Sequence, residues 1–125
     1  MKSPLAMGVS EPLIQASLLG EAAEHAPFAV LVADEEGRYV AVNQAACLML
    51  GYSREELLRL GMRDVARYAE AAGEFDDLVD AGSKLGVSDL TRKDGSTVRF
   101  SYVAGATIVA GMSVYVDVGA AAGDD

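Results

Sequence analysis

One hydrophobic core fits in 125 residues; two ordinary domains do not. With 51% hydrophobic and 23% charged residues the chain is globular and not disordered. A net charge of −9 argues against unaided binding to nucleic acid or anionic membranes, because phosphates must be neutralised by Lys and Arg.

A single cysteine makes neither an intramolecular disulfide nor a Cys-based metal site, so a reducing, cytoplasmic location is expected. No apolar run approaches the roughly 20 residues of a membrane helix. Pro4, Gly8 and Pro12 interrupt the start, where a secretory segment needs a continuous apolar run.

In chain order, residues 1–9 read as a flexible start. Ser10, Glu11 and Pro12 open a helix expected over residues 10–26. Ile14, Leu18, Ala22 and Ala26 recur at helical spacing, with Leu19 and Ala23 beside them, so the helix is expected to be amphipathic. "FAVLVAD" and "RYVAV" read as two strands joined by a turn at "EEGR", with Gly37 free to adopt positive φ. Asn43 is placed to cap a helix that ends at Leu50 before Gly51. That helix is apolar almost all round. Ala46 and Leu50 are expected to face the core, which leaves Cys47 and Leu48 against a pocket or another helix or subunit.

Ser53 and Glu56 have the capping-box spacing of a further short helix. Residues 70–81 read as a longer helix with Phe75, Leu78 and Val79 on one face. Three strands follow. "KLGVSDLTR" leads through the turn "KDGS" into "TVRFSYVAGATIV", where Val98, Phe100 and Tyr102 point one way. In "GMSVYVDVG", Met112, Val114, Val116 and Val118 oppose Ser113, Tyr115 and Asp117. This order predicts an α+β fold: an antiparallel sheet with helices gathered on one face and a pocket between the layers.

Residues 20–118 resemble a PAS domain. The resemblance rests on Asp34 and Gly37 in the first turn, Asn43 opening a helix, the stop from Leu50 to Ser53, the pair Glu56 and Leu57, the hairpin "LTRKDGSTVRF" and "VDVG" at 116–119. It implies a five-stranded antiparallel PAS core over residues 27–118. Residues 119–125 are then a tail or the start of a linker to an output domain. It also implies a sensory or regulatory module in signal transduction, of the two-component kind. The alternative is a ligand-free dimerisation module that holds a kinase, phosphatase or transcription regulator in register.

The resemblance frames the cofactor question. Light-sensing flavin members carry a reactive Cys in an Asn-Cys-Arg motif, and the corresponding "GMRDVARYAE" has none. Haem members use a His in or near the long helix; the one His here is His25, in the N-terminal helix. Redox members with FAD often use a Trp, and the chain has none. No cofactor or metal is expected, and an apolar small molecule such as a fatty acid is the ligand considered. The pocket lining expected is Val30, Val32 and Val42 from the first hairpin, Leu57, Met62, Val65 and Tyr68 from the short helices, Phe75, Leu78 and Val79 from the long helix, and Phe100, Tyr102, Met112 and Val114 from the last strands. Tyr102 or Tyr68 serves as polar handle.

By resemblance Asp117 relays the signal to a basic residue in a following helix. A homodimer is expected through Ile14, Leu18, Leu19, Ala22 and Ala23 and the exposed sheet face. With no Gly-x-Ser-x-Gly elbow and no phosphate-binding Gly loop, no catalytic residues are expected.

Overall fold

The computed structural model describes residues 11–66 and 83–122. Helix α1 (Pro12–Glu24) leads to strands β1 (Ala29–Ala33) and β2 (Tyr39–Val42). Three short helices follow: α2 (Gln44–Leu50), α3 (Arg54–Leu57) and α4 (Met62–Val65). Strands β3 (Ser83–Thr91), β4 (Thr97–Val109) and β5 (Met112–Ala121) complete one five-stranded sheet in the order β2-β1-β5-β4-β3. Every pairing is antiparallel. The last strand returns to the centre because β5 pairs with both β1 and β4, which closes the two hairpins into one sheet. The α+β architecture is the one predicted. The helix expected over residues 70–81 lies outside the described residues.

Local devices set the helix ends. Asn43 Oδ1 accepts from Ala46 N at 3.0 Å, and Gly51 takes φ 80° just after Leu50. Ser53 Oγ accepts from Glu56 N while Glu56 Oε1 accepts from Ser53 N, a full capping box. At α4, Asp64 accepts from Gly61 N at 2.8 Å. Gly61 lies so close to the first hairpin that a Cβ there would stand 2.8 Å from the Gly37 carbonyl oxygen. Bonds from Tyr39 N to Leu60 O and from Met62 N to Gly37 O fasten the two together.

The core lies between the sheet and α2 to α4. Ala46, Leu50 and Leu57 are fully enclosed, against Leu31, Val42, Leu90, Val98 and Phe100. Ala46 and Leu50 thus face inward as expected. Cys47 and Met49 pack partly against the core, and Leu48 stands 76% exposed. Among the described residues, therefore, no second layer covers the far side of α2 at Leu48.

The turn between β3 and β4 docks on the end of α2. Arg92 Nε donates to Met49 O, Lys93 N donates to Leu50 O, and Lys93 Nζ reaches Glu56 Oε2 at 2.6 Å. The Lys93 bond, then the Ser53 amide, hold the Glu56 carboxyl below its ordinary 4.5. Ser96 holds Asp94 below its ordinary 3.8 in the same way. A lowered carboxyl stabilises the fold above its unfolded pKa, and the contribution is lost as pH falls through the folded value. Stability is therefore expected to drop on acidification below about pH 4.5. Urea midpoints of Glu56→Gln and the parent should differ at neutral pH and converge near pH 3; a constant gap would refute this role for Glu56.

Two elements differ from expectation. β5 extends through Ala121, three residues beyond the expected end at Val118, because Ala29 pairs with Gly119 and Phe100 with Ala121. Helix α1 buries no residue, and Leu13, Leu18 and Leu19 are exposed. Its end is held by polar contacts: Asn43 Nδ2 donates to Ala23 O, and Arg54 grips the Glu24 carboxylate with both distances at 2.6 Å.

Candidate ligand cavity

Strand register decides what faces the helices. Val42, Leu31, Asp117, Ala104 and Lys84 are successive partners across all five strands and so share one face. Leu31, Val42 and Ala104 are buried in the core, so that face is the inner one. Asp117 is therefore turned inward, beneath the helices. Lys84 lies two strands away, about 10 Å between Cα atoms, with only the small Ala104 side chain between them.

The next row is Ala29, Gly119, Tyr102 and Gly86. Tyr102 is thus flanked by glycine on both sides. A Cβ at Gly86 would meet Tyr102 Oη at 2.7 Å, so the bare backbone there is what lets the phenol lie across β3. Its ring stacks on Phe100, with centroids 5.5 Å apart and planes 17° from parallel.

These rows floor a cavity of about 30 Å³, bounded by Leu31, Tyr39, Phe100, Tyr102, Lys84 and Asp117, with Met62 and Ala66 on the helix side. That is room for one or two water molecules. Tyr39 is buried, and burial, then the Asp117 and Asp64 carboxylates, push its phenol far above the ordinary tyrosine value. It therefore stays protonated and able to donate. The wall thus carries the Tyr39 hydroxyl, the Asp117 carboxylate, Lys84 and Ser88 among otherwise apolar side chains. Among the described residues no group of three or more His, Cys, Asp or Glu side chains is placed to hold a metal ion.

A family model described as PAS domain matches residues 17–83, more than half of the chain. The chain belongs to the PAS domain family. Solved structures show the same fold. A domain of a sensory box sensor histidine kinase/response regulator from Geobacter sulfurreducens is 22% identical, with TM-score 0.76 over 90% of this chain and 99% of that one. The PAS domain of an HTR-like protein from Haloarcula marismortui is also 22% identical, with TM-score 0.76 over 86% and 92%. A PAS domain from a two-component sensor histidine kinase is 14% identical, with TM-score 0.80 over 90% and 100%. No curated protein matches the sequence.

The PAS sheet brings together some of the residues expected from sequence and separates others. Met62, Phe100 and Tyr102 lie on the cavity wall. Val42, Leu57 and Val65 belong to the core around it. Val30 and Val32 do not line it: they alternate with Ala29, Leu31 and Ala33, which are buried in the core, so they point to the outer face of the sheet. Val114 is also on the outer face, buried but outside the core cluster, and Met112 is half exposed near the hairpin tip. Tyr68, Phe75, Leu78 and Val79 lie outside the described residues.

The resemblance implies that Asp117, near the end of its strand, relays the signal to a basic residue in a following helix. Its pairing with Leu31 and Ala104 makes it a mid-strand residue on the cavity wall. Lys84, Ser88 and Tyr39, also on the wall, were not anticipated. The alternation in β5 sets Asp117 against Val116 and Val118 but does not by itself name the inner face. Of the residues expected in the dimer contact, Ile14 and Ala23 are half-buried and Leu18, Leu19 and Ala22 are exposed. Burial raises the Cys47 thiol; Arg54 works against that and Glu24 with it.

Proposed function

We propose that this PAS domain is a cytoplasmic sensory or regulatory module of signal transduction. In this reading it admits a small polar molecule to the cavity beneath β5 and passes occupancy along that strand to a linked output domain. The observation that carries it is the inward turn of Asp117 beside Tyr39 on a central strand paired on both edges. A ligand that donates to the carboxylate acts directly on the strand that joins both halves of the sheet. The similar structures described as parts of sensor histidine kinases support the signalling role. The role is regulatory and not catalytic. A fatty acid is the less favoured ligand, since an acyl chain needs many times 30 Å³ and enters only if the cavity opens.

A thermal-shift screen of small amines, amides and alcohols, with native mass spectrometry and an absorption spectrum of the same sample, tests the reading. A true ligand at a hundredfold excess over Kd stabilises by about 2.7 kcal/mol. Asp117→Ala is expected to abolish that shift. A co-purifying lipid whose binding ignores Asp117→Ala would replace this reading with the acyl-chain one. The ligand-free dimerisation module is the second reading, favoured by the exposed Leu13 and Leu19 of α1.

A further inference from the structure

The polar groups on the cavity wall stand in two sets of opposite character. Asp117 on β5 and Tyr39 on β2 form one, close enough for the Asp117 charge to act on the Tyr39 phenol. Lys84 and Ser88 on β3 form the other. Lys84 pairs with Ala104 and Ala104 with Asp117, so the two charges share one inward row, about 10 Å apart between Cα atoms. Only the single methyl of Ala104 stands between them on that row.

Charge balance then selects the guest. Among the described residues the wall carries one acid and one base. Lys84, Ser88 and Asp117 each already interact within the chain, so a guest enters by exchange. A monocation or a monoanion adds an uncompensated charge to this balanced, poorly hydrated space, and that is costly. A molecule carrying both charges adds none. Its ammonium donates to the Asp117 carboxylate, while its carboxylate accepts from the Lys84 ammonium and the Ser88 hydroxyl.

We propose that the ligand of this cavity is a small zwitterion, an amino acid held at its ammonium by Asp117 and at its carboxylate by Lys84 and Ser88. This rests on the cavity being a ligand site and adds the charge class of the ligand and a second recognition point. A cavity of about 30 Å³ restricts the class to its shortest members. Lys84 is half-buried on a flexible stem, and its outward turn gives such a molecule the remaining room.

Titration calorimetry of the full chain tests it with glycine, β-alanine and γ-aminobutyrate as probes, beside ethylamine and propionate, which carry one charge each. At least one zwitterion should bind about tenfold more tightly than ethylamine, the contribution of one charge-assisted hydrogen bond. Propionate should bind no better than ethylamine. Lys84→Met keeps the stem without the charge and should reverse the order, because a wall with Asp117 alone is balanced by a monocation. The probe comparison needs only the parent protein, so it stands even where the variant folds poorly. Ethylamine binding as tightly as every zwitterion, or a zwitterion preference unchanged by Lys84→Met, overturns the zwitterion and leaves the Asp117-centred reading standing. No binding by any zwitterion also overturns it, and the screen of amines, amides and alcohols then decides the broader reading by itself.

Discussion

Replacing Asn43 with Ala is expected to destabilise the protein by about 4 kcal/mol, the largest effect of any single polar change here. Asn43 is 4% exposed and makes four hydrogen bonds, accepting from Val30 N and Ala46 N and donating to Ala23 O and Phe28 O. It therefore joins the end of α1, the start of β1 and the start of α2. Each such bond contributes about 1 kcal/mol net, and buried groups left unpaired cost more. A midpoint drop of about 15 °C follows for a domain of this size. Urea titration followed by circular dichroism checks it.

Two further variants separate the roles. Asn43→Ser keeps a capping oxygen and should recover about 1 kcal/mol relative to Ala. Asn43→Asp keeps the acceptor but sets a carboxylate against the carbonyl oxygens of Ala23 and Phe28, and should remain close to the Ala variant at neutral pH. If the Asp variant matched the parent, the two donated bonds would contribute nothing.

Gly119→Ala is expected to cost about 3 kcal/mol. A Cβ there lands on the Ser101 carbonyl oxygen and stands 2.7 Å from the Tyr102 Cα. Both obstacles are backbone of β4, so no side-chain rotation relieves them, and β5 must move away from its neighbour. Because Gly119 pairs with Tyr102, the shift also reaches the cavity floor. Gly20→Ala is the control. It lies in α1 with nothing within 4 Å of its new Cβ and should stabilise by about 1 kcal/mol. A Gly119→Ala midpoint equal to the parent's would mean that the strands separate there without cost.

Both residues mark how far the sequence is legible. Asn43 was recognisable as a helix cap because capping is local: a side-chain oxygen meets an amide three residues on. Its second function, tying α1 to the core, links residues 20 apart and has no sequence signature. The same division holds for the Ser53 and Glu56 capping box, Gly51 and the Asp94-Gly95 turn, all local and all read directly. The hairpins at Gly37 and Gly95 followed from turn chemistry and the five-stranded antiparallel sheet from the family resemblance; the pairing of β5 with β1 had no sequence signature.

What the sequence by itself determined is this set of local choices, since hydrogen bonds within four residues and permitted φ values do not depend on distant chain. Tertiary structure alone decided which face of β1 and of β5 turns inward. β1 is apolar on both faces, and on β5 the valines made the better-looking core side. Register against β4 overruled that pattern, because Tyr102 opposite Gly119 and Ala104 opposite Asp117 fix the inner face. β1 has apolar residues on both sides, so its alternation cannot say which side is in; pairing can, and on β5 it placed Asp117 in the cavity.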